Sequence, residues 1–363
     1  MKNTFGNNFS VTLFGESHGS GIGAVIDGIA PGVKIDEEYI RHRLTLRRPS
    51  GDISTKRQEA DDFKILSGVY NGCSTGTPLC IFIENSCQKS KDYGDILAKA
   101  RPGHADYAAE CKYGGYQDAR GGGHFSGRVT AALVAAGAIA LLALESKGIK
   151  IASHISNIAG VLDRDFGDFE ADYKILKDAT FGVLQEDKKE AMLKAITDAA
   201  SEGDSVGGVV ETMVCGMPSG VGEPWFDSVE SVLSHVLFSV PAVKGVEFGI
   251  GFDFANKKGS TANDPFIIKN GEIVTTTNNN GGVNGGITNG MPITFKCAIK
   301  PTPSIYKEQY TVNFKEKSQV KLKIEGRHDP CIVHRCRPVI ESVTAIALCD
   351  LLVTRFGTNY LGE

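Results

Sequence analysis

Gly19-Ser20-Gly21-Ile22-Gly23-Ala24-Val25-Ile26-Asp27-Gly28-Ile29-Ala30-Pro31-Gly32 decides the fold, because it admits two incompatible readings. Gly19-x-Gly21-x-x-Ala24 matches the loose dinucleotide fingerprint, which requires a helix starting there within a parallel βαβ unit. The segment after Ala24 is too short, and too broken by Gly28, Pro31 and Gly32, to be that helix. The other reading is a pair of strands, 9–14 and 24–29, joined by a glycine-rich turn. It predicts a sheet without crossover helices.

The neighbouring segments support the second reading. Asp36 starts a helix with Glu37 and Glu38 in its first turn, and the helix ends near Arg47 before Pro49. Strands are expected over 65–70 and 78–84, and a short helix over 105–112. Residues 129–144 are the most apolar segment, yet shorter than the roughly 20 residues that span a bilayer. With Ser126 to cap it and Gly148 to end it, this segment reads as a buried core helix. A strand opens the region 150–216, and a polar, charged stretch comes after it. A helix over 186–200, stopped by Gly203, and a strand over 206–215 complete the region. Asp227 is expected to cap a helix that ends before Pro241, and a last helix spans 340–356. Strands come in runs with helices between them, which predicts an α+β fold of antiparallel sheets packed on helices. The chain reads as one domain over 1–363. The two Ala/Leu/Val-rich helices suggest two pseudo-repeated halves, with a break near 150–225.

The 363 residues are 41% hydrophobic and 23% charged, with a formal net charge of −4. That balance argues against a surface built to coat nucleic acid or an anionic membrane, so any cationic region must be local. Glycine numbers 43, about 12% against a usual share of roughly 7%. The nine cysteines form no Cys-x-x-Cys pair, and Cys73, Cys80 and Cys87 fall in strand-like sequence. They read as free thiols of a reducing, cytoplasmic compartment. No metal-ligand spacing and no secretory signal is apparent. The run from Asn278 to Gly290 reads either as disordered or as a ligand-gripping loop, since Asn and Gly tolerate left-handed backbone.

Five distant stretches place arginine or histidine beside glycine or proline: Gly15-Glu16-Ser17-His18-Gly19, Arg47-Arg48-Pro49, Arg101-Pro102-Gly103-His104, Arg120 to Arg128, and Gly326-Arg327-His328-Asp329-Pro330. Glycine lets backbone N–H groups approach a ligand, arginine offers a rigid fork to phosphate or carboxylate, and histidine moves protons near neutrality. Together they predict one pocket that holds a polyanion and does acid–base chemistry. Each also has a plainer reading. His18 alone is more often a hydrogen-bonded structural histidine, and His42, His154 and His235 are taken as structural. Arg57, Arg335 and Arg337, like the other arginines, are by default solvated surface charges. Arg128 is more telling, because it opens an apolar helix and needs an anionic partner if buried. Asp329, among arginines, is either a turn carboxylate or a proton acceptor.

Gly15-Glu16-Ser17-His18-Gly19 running to Asp27-Gly28, Gly123-His124-Phe125-Ser126-Gly127-Arg128, and Arg327-His328-Asp329-Pro330-Cys331 running to Glu341 resemble the signatures of the chorismate synthase family. Arg101 to Asp106, Ala242 to Glu247, and Lys300-Pro301-Thr302-Pro303-Ser304 resemble further family blocks, all in order. The resemblance implies a β-α-β sandwich and a homotetramer. It also implies a lyase that converts 5-enolpyruvylshikimate 3-phosphate to chorismate and phosphate by anti 1,4-elimination with reduced FMN. Carried over by position, His18 protonates the departing phosphate, and His104 sits by the flavin N1 region. Ser17, His18, Arg47, Arg48, Arg128 and Arg327 grip substrate, and Asp329 with Ser126 takes the proton. The flavin falls to His124, Phe125, Ser126, Pro241, Ala242, Gly285, the stretch Lys300 to Ser304 (Pro301, Thr302 and Pro303 included), and Arg327. Bifunctional members, which reduce their own flavin with NADPH (NADP as product), are often longer; the resemblance therefore implies an external flavin reductase here. His124-Phe125, Pro241 and Asp52 depart from the commoner family pattern. Two alternatives remain open on the residues alone: a nicotinamide oxidoreductase using Gly19 to Ala24, and a non-catalytic polyanion-binding module.

Overall fold

The computed structural model describes residues 2–49, 51, 53–54, 60–86, 98–324, 326 and 328–362. Asp52, Arg57, Cys87 and Arg327 lie outside the described residues. Residues 21–27 form a strand and not a helix, so the dinucleotide reading loses the element it depends on. Five strands make the first sheet: β1 (Thr4–Phe5), β2 (Ser10–Gly15), β3 (Gly21–Asp27), β4 (Phe63–Ser67) and β5 (Leu79–Glu84). Their order is β1-β2-β3-β5-β4, with every neighbour antiparallel and Leu13 facing Ala24 across the first turn.

The second sheet holds β6 (Lys150–Ile158), β7 (Val161–Leu162), β8 (Gly208–Cys215), β9 (Val243–Phe248) and β10 (Ile293–Ile299). Its order is β9-β10-β8-β6-β7, again antiparallel throughout. Between the sheets lie α1 (Glu37–Arg47), α3 (Thr130–Glu145), α6 (Val229–Leu237) and α7 (Val333–Phe356), which together give the α+β sandwich. The outer helices are α2 (Asp106–Tyr113), α4 (Phe169–Leu176) and α5 (Glu186–Ser201). The charged stretch after β6 therefore contains a helix that polarity alone did not mark.

α3 is apolar around its whole circumference, as a helix buried on all sides must be. It is long and apolar enough to cross a membrane by composition, but most of it is buried inside the protein. Its main packing partner is α7, and Gly137 makes the crossing possible: a Cβ there would lie 2.2 Å from Cβ of Ser342. α7 begins at Val333, seven residues before the expected start, with Pro338 inside it. Proline in a helix interior costs about 3 kcal/mol. Burial of nearly the whole helix against α3, β6 and α6 outweighs that local cost. Arg337 is buried rather than on the surface; it donates to the Leu176 carbonyl (3.1 Å), to the Ala179 carbonyl and to Glu341 (3.2 Å). Arg43 donates to the same Glu341 carboxylate, so two buried cations share one anion.

Two local expectations also change. Ser228, not Asp227, caps α6, with Oγ accepting from the Ser231 N–H at 3.1 Å. Asp227 belongs to the preceding 3₁₀ turn, Trp225–Asp227, which places its side chain one residue too early. The run 278–290 is folded, not disordered: the Asp264 carboxylate accepts from Thr277 Oγ1 and from the Asn279 and Asn280 N–H groups.

Candidate active site

The loops that leave α1, α2, α6 and β10, with the turn before α3 and the start of α7, converge on one cavity of about 1090 Å³. Among the described residues its wall carries eight cationic side chains and four carboxylates, in a chain of net charge −4. Arg47, Arg48, His104, His124, Phe125, Ser126, Arg128, Pro241, Ala242, Lys300, Thr302, Pro303 and Asp329 all line it. The structure thus brings together most of the residues singled out in the sequence.

Local structure places each of them. Arg47 is the last residue of α1 and Arg48 its C-cap, extended ahead of Pro49. Burial pulls the Arg47 guanidinium below its ordinary value, and Arg335 and Arg128 act the same way; Asp61 opposes them. Ser126 Oγ accepts from the Arg128 N–H at 3.3 Å, which starts the 3₁₀ turn leading into α3 and fixes the Arg128 backbone. Arg128 reaches Asn85 Oδ1 at 3.1 Å. Asp329 accepts from Arg335 Nη1 at 2.6 Å, so Arg335 belongs to the site and not to the surface. Arg101 is committed to Asp106 by two bonds of 2.8 Å, and Arg120 to Asp118.

His104 Nε2 lies 2.8 Å from Ser304 Oγ, and Lys300 Nζ donates to the Gly103 carbonyl at 2.6 Å. Burial, aided by Arg101, pushes His104 down to about 4, so the imidazole is neutral at physiological pH. His124 Nδ1 donates to the Gly15 carbonyl at 2.8 Å, tying the glycine turn to β2. Ala242 holds φ of +75°, a conformation an L residue adopts at some cost, and its carbonyl accepts from the Lys300 N–H at 3.0 Å. A strained residue in a cavity wall points to a wall shaped for a ligand.

Five of the remaining candidates sit elsewhere. Ser17 and His18 are buried one layer behind the wall, under Gly121. Ser17 Oγ is 3.0 Å from His18 Nδ1 and 3.2 Å from the Arg120 and Gly121 carbonyls. Ser304 supports His104 from outside the lining, and Pro301 is likewise not in it. Gly285 stands in the hairpin Val283–Thr288, with φ of +60° and open space where a Cβ would be, and it is not part of the cavity wall. Sequence reasoning missed Asp61, which accepts from Arg47 and Arg128; a carboxylate with no glycine or histidine beside it gave no signal. It also left His235 as structural, although the ring reaches the cavity and packs edge-on against Phe5.

Comparison with known proteins bears on family and fold. The family model for chorismate synthase matches residues 9–353. Chorismate synthase of Pyrococcus abyssi is 48% identical over 96% of this chain and 97% of its own length. The enzyme of Aeropyrum pernix is 44% identical over 98% and 93%. A crystal structure of chorismate synthase, 29% identical, superposes with a TM-score of 0.75 over 97% of this chain and 94% of that one. By sequence along nearly its full length and by fold, the chain belongs to the chorismate synthase family.

Proposed function

We propose that this chain eliminates phosphate from 5-enolpyruvylshikimate 3-phosphate to give chorismate, with reduced FMN and substrate held together in the cation-lined cavity. That makes it a carbon–oxygen lyase of the shikimate pathway, in line with its family. The observation that carries the reading is the excess of guanidinium and ammonium groups around one large void. Ligand pockets commonly measure about 300–1,000 Å³, and this cavity of about 1090 Å³ stands at the top of that range.

The residues present suit a flavin phosphate and a substrate with one phosphate and two carboxylates. Among the described residues, Arg47 Nε, Arg48 Nε and Thr302 Oγ1 are buried without hydrogen-bond partners. Such donors cost free energy unless a ligand satisfies them. The Phe125 ring, 45% exposed, offers an apolar face at the same wall. Reduced FMN, when bound, supplies transient electron donation that the side chains lack. Arg47, Arg48 and Arg128 bind and orient the anionic groups of the substrate. Asp329 and Ser126 receive the proton lost from carbon. His18 supplies a proton to the departing phosphate past the edge of Gly121, and neutral His104 hydrogen-bonds at the cofactor. One C–H and one C–O bond break, one C=C forms, and the elimination has no net redox change.

The nicotinamide alternative has no helix at residues 21–27 to support it. A polyanion-binding module would keep its grip without turnover, and the assay separates the two. The homotetramer, the external reductase and a cytoplasmic location are part of this reading, as is a single domain. Exposed Trp225, Phe226 and Phe252 favour a self-associating surface. The test is an anaerobic assay with enolpyruvylshikimate phosphate and chemically reduced FMN. Growth of chorismate absorbance is expected, with quenching of oxidised FMN fluorescence measured in a separate binding titration; FMN binding without chorismate would sink the catalytic reading.

A further inference from the structure

Asp61 stands at the meeting point of three arginines from separate parts of the chain. Its side chain is fully enclosed, and it accepts from Arg47 Nη2 at 2.9 Å and from Arg128 Nη1, with Arg48 Nε at 3.6 Å. Burial opposes its charge, but Arg47 and Arg128 together hold the carboxyl below its ordinary value. Asp61 also has φ of +52°, a left-handed backbone that aspartate tolerates better than most residues. The backbone turn at the cavity wall thus presents one carboxylate to three guanidiniums. Arg128 is further anchored at Asn85, whereas the Nε atoms of Arg47 and Arg48 remain unsatisfied among the described residues.

We propose that Asp61 is a positioning residue: it gathers Arg47, Arg48 and Arg128 into one anion-receiving face. It occupies their common focus until a substrate phosphate or carboxylate competes for the same donors. The proposal rests on the reading that this cavity binds the phosphorylated substrate. Like charges crowded in a low-dielectric wall repel strongly, and a carboxylate among them relieves that repulsion at a fixed geometry. Two consequences oppose each other. Removing the charge frees donors for an incoming anion, yet it releases the arginines from the orientation that productive binding needs.

The test compares wild type with Asp61→Asn and Asp61→Glu. Binding of inorganic phosphate is measured by calorimetry across ionic strength, and kcat and KM with reduced FMN are measured separately. For Asp61→Asn, phosphate affinity should rise about fivefold or more with a steeper salt dependence. Its kcat should fall roughly 10²-fold through misplacement of the arginines. Asp61→Glu keeps the charge and moves the carboxylate by one methylene. It should leave phosphate affinity near wild type while still lowering kcat. Unchanged kcat in Asp61→Glu, or phosphate affinity that falls in a folded Asp61→Asn, would overturn the proposal. Should Asp61→Asn fail to fold, Asp61→Glu decides alone. The phosphate titration needs no turnover, so a wild type that binds phosphate but makes no chorismate would sink the proposed function and leave the role of Asp61 still measurable.

Discussion

Gly121→Ala tests whether the imidazole behind the cavity wall matters. Gly121 has φ of +58°, and a Cβ there would stand 2.1 Å from His18 Cε1, 2.4 Å from Nδ1 and 3.1 Å from Ser17 Oγ. Left-handed backbone costs alanine about 1–2 kcal/mol. Forcing a methyl group into a packed interior adds about 1–3 kcal/mol. His18 is only 4% exposed and is held 3.0 Å from Ser17 Oγ, so the ring cannot retreat without breaking that contact. Gly122→Ala is the matched control: φ is +85°, but the nearest atom to its Cβ is Ser126 Cβ at 3.8 Å. The two variants share the backbone cost, and only the first displaces His18. A displacement of about 1 Å lowers turnover roughly 10²-fold when the group acts in the chemistry. Chorismate formation at saturating reduced FMN, with FMN affinity and thermal unfolding in parallel, reads all three effects. Gly121→Ala should fold, bind FMN and turn over slowly, while Gly122→Ala stays near wild type. Equal turnover in the two variants would refute a catalytic role for His18.

Other outcomes can be stated more briefly. His104 titrates at about 4 in the folded chain and near 6.5 when unfolded, so between those values the unfolded state binds more protons. Stability should therefore decline as pH falls from 6.5 to 4, by about 1–2 kcal/mol after solvent screening. His104→Gln should flatten that slope in denaturation midpoints; an unaltered slope would place its origin elsewhere. Asp329→Asn should keep substrate affinity but slow proton removal, visible as a solvent- and substrate-isotope-sensitive kcat, and wild-type rates would exclude it from the step. Ser228→Ala should cost about 1 kcal/mol through loss of the α6 cap, against no more than about 0.5 for Asp227→Ala. The reverse order would contradict the observed cap.

Much of the site was visible as residue type and spacing. Arg48, His104, Ser126, Arg128 and Asp329 each stand beside glycine or proline, and Arg47 one residue further away, where a side chain can meet a ligand, and all six line one cavity. His18 carries the same signal but sits a layer deeper, because the Gly121 turn closes over it. Asp61 and Arg335 carried no local mark. Their roles come from partners 67 and 6 residues away in the chain.

The sequence by itself determined the class of fold, through strands in runs and a glycine-broken segment after Ala24, since hydrophobic period and turn chemistry are local properties. It also determined that any cationic region had to be local, given a net charge of −4. The tertiary structure alone decided where α7 begins, because burial along its length outweighs Pro338. It alone decided which buried arginines share Glu341 and which share Asp61. Pairing of buried charges depends on distances set by packing, and no local pattern encodes those distances.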